Sequence, residues 1–405
     1  MIKLEESSLE RYQRGYAEVD LDAIVSNMKN MKERIAPGTE MIGVVKTDGY
    51  GHGSVPISQT LEPLDFLFGF AVATPEEAHI LRQSGIRKPI LVLGYTFPYC
   101  YEQLAEEEIR PAVFRRDTIP LLKEASERVG KPIRVHVKVD TGMNRIGITP
   151  DEEGLRFVEA LMESGGGNHG GALSTGIAIE GIFTHFARAD EADKSDAIRQ
   201  TEVFQGFIRM IKEKLGIHIP VKHCSNSAGI LELPQANMDA VRAGIALYGL
   251  YPSGEVSRDS VPLKPALSLY SHLVCVKTLP RGQSVSYGGT FTADRDMRIA
   301  TVPLGYGDGY PRSLSNKGYV LVRGRRAPVL GRVCMDQFMV DVSLIPDAKE
   351  GDRVVLLGSD GKEQISAELL GEMSGRFHYE LACDIGKRIP RIYRKQGELF
   401  ACRVE

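Results

Sequence analysis

The chain has 405 residues, of which 42% are hydrophobic and 25% are charged, so an ordinary globular composition is combined with enough length for two domains. Its 50 basic and 53 acidic residues nearly cancel to a net charge of −3, which argues against nucleic acid or an anionic membrane as a partner. No apolar run approaches the ~20 residues of a membrane span, the charged N-terminus lacks the apolar core of a signal peptide, and the six cysteines are scattered. These features predict a cytoplasmic protein with reduced thiols.

The first element in chain order is a short strand ending at Val19, followed by a helix that Asp20 or Asp22 caps. Apolar strands then alternate with amphipathic segments, which is typical of parallel strands buried on both faces. The eight strands are predicted at 41–46, 68–73, 90–94, 109–114, 133–140, 179–185, 221–227 and 241–249. This repeat predicts an α/β fold with an N-terminal (β/α)8 barrel of the TIM type, and a doubly wound open sheet is the alternative.

The pattern changes near residue 256 to short strands separated by Gly, Asp and Pro turns, with a single helix predicted at 366–375. We therefore predict a barrel domain over 1–255 and a mostly antiparallel β-domain over 256–405, with the boundary in the polar stretch 251–260. The Gly-rich stretch 165–176 precedes a strand, whereas a phosphate loop follows one and opens a helix, so a flexible surface loop is predicted there.

Several predicted barrel strands are followed by cationic or hydrogen-bonding residues, at the end where barrel enzymes carry their chemistry. Alone, a strand-end lysine is usually a solvated charge and a buried histidine is usually a hydrogen-bonded core residue. Together they would surround a cationic mouth suited to an anion. These residues are Lys46, Lys138, Arg145, His185, Asn226, Ser227, Arg242 and Gly244.

An anion site combined with a strand-end lysine suggests pyridoxal 5'-phosphate, whose aldehyde condenses with a lysine amine. Ser227 and Gly244 lie where this fold commonly binds phosphate, after the seventh and eighth strands, and Asn226 is a further candidate contact. Lys46 must be neutral to react, and burial with cationic neighbours would lower its pKa. The glycines that follow it allow a sharp turn, from which the Tyr50 hydroxyl can reach phosphate.

Nine segments in order resemble the alanine racemase family of pyridoxal-phosphate enzymes, which combine a barrel with a β-domain. They are "AEVDLDAI", "VVKTDGYGHG", "KVDTGMNRIG", "THFARAD", "CSNSAG", "VRAGIALYGLYPS", "SYGGTF", "LGYGDGYPR" and "GRVCMDQFMVDV". They run from residue 17 to about 343, and "RFHYE" with "KRIPRIY" extends the resemblance to 393. One short motif matches by chance easily, whereas nine in order do not.

The resemblance implies that Lys46, which binds the cofactor as a Schiff base, and Tyr287 are the two catalytic bases. It implies cofactor contacts from Tyr50, His185, Ser227, Arg242, Gly244, Ile245 and Tyr379. It implies substrate contacts from Arg145, Tyr306 and Met335, and it matches Lys138 to a lysine that is often carbamylated. In a head-to-tail homodimer, Tyr287 and Met335 would come from the other subunit.

On this resemblance the chain interconverts L- and D-alanine and supplies D-alanine for peptidoglycan, with one base on each face of the cofactor adduct. We hypothesise that His185 and Arg242 lower the pKa of Tyr287, whose ordinary value is near ~10. The alternatives are a serine or broad-specificity racemase, a barrel-type decarboxylase, and a non-catalytic pyridoxal-phosphate carrier or regulator. Thr47, Asp48 and Gly49 depart from many family members, which leaves the substrate preference open.

Overall fold

The computed structural model describes residues 2–165 and 175–401, so most of the Gly-rich stretch predicted as a loop lies outside the described residues. The chain divides into two compact units. The barrel unit comprises Ile24–Gly49 and Ile57–Lys264, and the β-rich unit comprises Met1–Ala23, Tyr50–Pro56 and Pro265–Glu405. The residues predicted as one domain, 1–255, are thus shared between the two units.

In the described part of the barrel unit, eight strands form one sheet in which every neighbouring pair is parallel. In spatial order they are Ala240–Ala243, Glu40–Val44, Leu67–Val72, Ile90–Val92, Ile109–Val113, Ile133–Lys138, Ile177–Phe183 and Val221–His223. Two backbone hydrogen bonds join the sheet's end strands, from Asp239 N to Lys222 O at 3.1 Å and from Arg242 N to Ser225 O at 2.9 Å. The predicted (β/α)8 barrel is confirmed.

Helices follow these strands, and side-chain caps or glycines mark some of their ends. The Asp151 carboxylate accepts from two amides of helix Glu152–Ser164, which buries Leu155, Val158 and Leu161 on one face. Helices Thr118–Val129 and Ser195–Leu215 each end at a glycine with positive φ. The remaining helices that follow barrel strands are Ser54–Leu61, Pro75–Gln83, Tyr101–Glu106 and Ser227–Glu232, with 3-10 turns at Pro98–Cys100, Pro234–Ala236 and Ile245–Tyr248.

The β-rich unit is built on a mostly antiparallel sheet, as predicted. In spatial order its main path is Ile2–Leu4, Glu398–Ala401, Arg391–Lys395, Tyr16–Asp20, Leu267–His272, Arg353–Asp360, Tyr319–Val322, Arg325–Leu330, Phe338–Asp341, Met297–Val302 and Cys275–Leu279. Glu363–Ile365 pairs with Arg353–Asp360, and Ser284–Val285 forms a separate ladder with Phe291–Thr292. Short 3-10 helices lie at Glu6–Tyr12, Tyr287–Gly289, Tyr306–Asp308 and Arg312–Leu314.

Two features of the β-rich unit differ from what local sequence indicated. Strand Tyr16–Asp20 pairs with Leu267–His272 and with Arg391–Lys395, so an N-terminal strand completes a C-terminal sheet. The prediction of one helix at 366–375 missed a second helix. The first helix, Ala367–Ser374, ends at the left-handed Gly375, and a second helix follows at His378–Cys383. Asp20 Oδ1 accepts from Ala23 N at 2.9 Å and so caps helix Leu21–Arg34, one of the two predicted caps.

No disulfide joins the five cysteines within the described residues. None of the helices in the described ranges has the length and apolarity needed to span a membrane.

Candidate active site

The carboxyl ends of the barrel strands carry the predicted site residues of this unit. Lys46 follows strand Glu40–Val44 by two residues, and the hydroxyl of buried Tyr248 donates to Val44 O at 2.8 Å. The end of the strand that carries Lys46 is therefore anchored, while the Lys46 side chain is half-buried.

The turn after Lys46 has left-handed backbone geometry at several successive residues. Thr47, Asp48 and Tyr50 have φ values of 54°, 49° and 52°. Each costs a non-glycine residue about 1–2 kcal/mol, so surrounding contacts must hold the turn. The Glu77 carboxylate supplies one such contact, because it accepts from Thr47 N at 2.5 Å and from Ala73 N at 2.8 Å. It thereby ties the lysine turn to the end of the next strand.

Arg242 is buried inside the barrel and makes several hydrogen bonds through its two terminal nitrogens. Its guanidinium donates to the carbonyls of Thr184, His223 and Cys224. It also lies 2.8 Å from His223 Nδ1 and 3.2 Å from His185 Nδ1. Because a guanidinium only donates, His185 Nδ1 must accept, and a neutral His185 therefore carries its proton on Nε2.

The predicted cations lie close enough to one another to shift their ionisation. Burial, and then Arg242, Arg145, Lys138 and Lys46, hold the pKa of His185 well below its usual value. Burial also lowers the pKa of Lys138 to about 8, against the opposing effect of Asp140. The structure thus brings Lys46, Lys138, Arg145, His185 and Arg242 into one electrostatic cluster, as predicted for the mouth of the barrel.

The predicted phosphate-binding residues of the barrel unit also lie side by side. Ser227 Oγ accepts from Gly244 N at 3.0 Å and from Ala246 N at 3.2 Å, which joins the ends of the seventh and eighth strands. Buried Ile245 begins the 3-10 turn between those amides. The Asn226 side chain accepts from Gly229 N at 3.1 Å, so it caps helix Ser227–Glu232.

The other predicted site residues lie in the β-rich unit. The Tyr50 and Tyr379 rings have centroids 6.3 Å apart, and burial raises the Tyr50 pKa above its usual value. Tyr287, Tyr306 and Met335 have large side chains that are exposed by 71%, 42% and 52%.

Hydrogen bonds hold the segments of these exposed side chains together. Tyr306 N donates to Cys334 O at 3.1 Å, and Gly307 N donates to Met335 O at 2.9 Å. Before Tyr287, Ser286 adopts a φ of 65°, and its hydroxyl donates to Arg332 O at 2.6 Å. Three loops thus present Tyr287, Tyr306 and Met335 from adjoining positions.

Sequence reasoning missed several ionisable residues next to this site. His136 and Glu180 lie inside apolar barrel strands, and His223 ends another. The available signal was the occurrence of such residues within apolar runs, since buried ionisable groups require partners. Glu77 had no comparable signal, because a glutamate in the first turn of a helix is common.

Comparisons with known proteins agree with this geometry. The family model described as alanine racemase, N-terminal domain, matches residues 19–252, and the one described as alanine racemase, C-terminal domain, matches residues 266–393. The chain is 43% identical over 381 residues to the alanine racemase of Halothermothrix orenii, covering 94% of this chain and 97% of that protein. It is 41% identical over 389 residues to the alanine racemase of Clostridium novyi, covering 96% of this chain and 97% of that protein.

Solved structures give the same result. The alanine racemase of Clostridium difficile 630 superposes with a TM-score of 0.88 at 37% identity, covering 96% of this chain and 97% of that one. The Bacillus anthracis alanine racemase with bound L-Ala-P superposes with a TM-score of 0.87 at 36% identity, covering 96% and 98%.

Proposed function

The chain belongs to the alanine racemase family, and from that premise we propose that it interconverts L- and D-alanine with pyridoxal phosphate, using Lys46 and Tyr287 as the two bases. The observation that carries this proposal is the cluster of Lys46, Lys138 and Arg242 around His185, at the carboxyl ends of the barrel strands. Such a cationic cluster suits an anionic aldehyde cofactor and the carboxylate of an amino acid.

The residues present fit the cofactor in both charge and chemistry. Lys46 supplies the amine that would hold it covalently, and Arg242 would face its ring nitrogen with donors only. Ser227, Gly244 and Ile245 would hold its phosphate together with Tyr50 and Tyr379, and Asn226 would support Ser227 through its helix cap. When bound, pyridoxal phosphate delocalises the electron pair left on Cα after proton removal.

Racemisation then requires proton transfer on both faces of the substrate. Lys46 Nζ would remove or return the Cα proton on one face, and Tyr287 Oη would do so on the other. Tyr287 needs activation, because a tyrosine is ordinarily protonated at neutral pH. The Nε2–H of His185 would supply it by donating to the Tyr287 oxygen, since Arg242 occupies Nδ1.

We propose that the second base comes from a partner subunit in a head-to-tail homodimer. The exposure of Tyr287, Tyr306 and Met335 on adjoining loops supports this arrangement, because a contiguous exposed apolar patch is typical of a surface that contacts another chain. The partner subunit's Tyr306 and Met335 would then border the space available to the substrate side chain. Alanine is the substrate expected if they leave room for one methyl group.

Arg145 would bind the substrate carboxylate, and Lys138 would orient Arg145. A lysine amine adds carbon dioxide only when neutral, and the lowered pKa of Lys138 favours that form. A carbamate on Lys138 would turn a cation into an anion that orients Arg145 toward the substrate carboxylate. Incubation with isotope-labelled bicarbonate should give a carbamate NMR signal that is absent from Lys138→Ala.

The decisive experiment is to incubate the purified protein with each L-amino acid in deuterium oxide and to follow Cα–H loss together with optical rotation. Rapid loss of both signals with alanine, and much slower loss with serine and larger amino acids, is the expected result. Comparable rates with serine would identify a broader racemase, and an unchanged signal with every amino acid would refute the proposal.

Two variants test the assigned bases separately. Lys46→Ala should abolish the visible absorbance of covalently bound cofactor, and an intact band would remove Lys46 from its role. Tyr287→Phe should slow deuterium exchange from one enantiomer more than from the other in single turnovers. Equal slowing of both enantiomers would count against two bases on opposite faces.

A further inference from the structure

A chain of buried polar side chains continues from Arg242 through the interior of the barrel, away from the other candidate site residues. Arg242 Nη1 lies 2.8 Å from His223 Nδ1, and His223 Nε2 lies 2.9 Å from His136 Nδ1. His136 Nε2 lies 3.2 Å from Glu180 Oε2. Both imidazoles and Arg242 are buried, and Glu180 is mostly so.

The proton positions along this chain follow from the donor at its start. Arg242 only donates, so His223 Nδ1 accepts, and a neutral His223 carries its proton on Nε2. That proton is donated to His136 Nδ1, which leaves the proton of a neutral His136 on Nε2, facing the Glu180 carboxylate. Burial lowers the pKa of both imidazoles, in agreement with their neutral forms. All three hydrogen bonds therefore point from Arg242 toward Glu180.

Glu180 supplies the negative charge at the far end. Although burial opposes its ionisation, hydrogen bonds from His136 and Arg110 lower its pKa to about 2. Arg242 itself donates, among the described residues, to carbonyls and imidazoles and to no carboxylate. A buried cation without a contacting anion is costly, and a polarised chain of neutral donors ending on an anion offsets part of that cost.

The strand that carries Glu180 leaves space for this arrangement. Gly181 pairs with His136 in the parallel ladder, and a Cβ on Gly181 would lie 2.4 Å from His136 Nδ1. Any side chain there would displace the ring from its position between His223 and Glu180. The series of hydrogen-bonded side chains therefore requires a glycine at position 181, next to Glu180.

We propose that Glu180, acting through His136 and His223, is a positioning residue that fixes the orientation and the charge of Arg242. This inference rests on the proposed function, in which Arg242 faces the cofactor and donates to His185. Each imidazole holds the next in a single tautomer. The guanidinium consequently presents Nη2 to His185 without an anion in direct contact with it.

The tautomers are tested first, on the wild-type protein with isotope-labelled histidine. Ring-nitrogen NMR should show His136 and His223 neutral and protonated on Nε2. Protonation of either residue on Nδ1, or a cationic ring, would overturn the inference. This measurement requires neither substrate nor a variant, so it stands even if the protein does not racemise alanine.

The kinetic test compares two matched substitutions. Glu180→Gln keeps an acceptor for His136, removes the charge and leaves only one oxygen to accept from Arg110. We expect kcat to fall roughly 3- to 30-fold with KM within about twofold. The control is Glu102→Gln, because Glu102 pairs with Arg128 at 2.9 Å and lies outside the chain from Arg242 to Glu180. It should leave both constants within about twofold. Equal kcat values for the two variants would refute the role of Glu180.

Discussion

Substitution of Glu77 by Gln tests whether this carboxylate holds the left-handed turn that follows Lys46. The glutamine carbonyl can accept from only one of the two amides, Thr47 N or Ala73 N, and its amide group then faces the other donor. Loss of one hydrogen bond to a charged group costs about 1.5–3 kcal/mol. The lower end is expected if Thr47 loses its partner, because Thr47 is exposed and water replaces part of the bond.

Hydrogen exchange measures this cost where it arises. A free-energy change of that size should speed amide exchange in the lysine turn, or at Ala73, by roughly 10- to 150-fold. Because Thr47 follows Lys46 directly, kcat should fall in the same variant while the fold is retained.

The matched control is Glu76→Gln. Glu76 lies in the same helical turn, but its carboxylate accepts from the Tyr99 hydroxyl at 2.9 Å instead of from the lysine turn. In this control, the rate of amide hydrogen exchange in the turn after Lys46 should therefore equal the wild-type rate. If Glu77→Gln also leaves exchange at both amides within about twofold of wild type, the turn does not depend on Glu77.

Three further predictions concern stability. In bicarbonate-free buffer, where Lys138 stays an amine, its pKa is lowered from 10.5 to about 8, so the free energy of unfolding should rise between those pH values by up to roughly 3 kcal/mol. Lys138→Met should lack that rise in denaturant titrations. Gly51→Ala should destabilise the protein far more than Gly375→Ala, because a Cβ at Gly51 would lie 2.0 Å from a backbone carbonyl oxygen. A Cβ at Gly375 would meet open space, so Gly375→Ala should cost only the about 1–2 kcal/mol of a left-handed non-glycine residue. Arg14→Met should cost about 1–3 kcal/mol, because Arg14 Nη2 contacts the buried carboxylate of Asp308 at 2.6 Å; an unchanged unfolding midpoint would show that this ion pair contributes nothing.

Local sequence was sufficient for the repeating part of the fold. Apolar runs separated by amphipathic segments located the eight barrel strands, because burial on both faces leaves a strong local signal. This local signal was weaker at the ends of the strands. The strand predicted at 221–227 ends at His223, since Asn226 caps the next helix.

The sequence by itself determined that Lys46 follows the first barrel strand and that motifs of one family run along the chain. These features depend on residues that are close to one another along the chain, so their spacing can be read from the sequence. Only the tertiary structure decided that Tyr16–Asp20 completes the C-terminal sheet, and that Arg242, His223, His136 and Glu180 form one hydrogen-bonded chain. Strand pairing brings those side chains together across long stretches of sequence, and the direction of each hydrogen bond depends on which donor begins the chain.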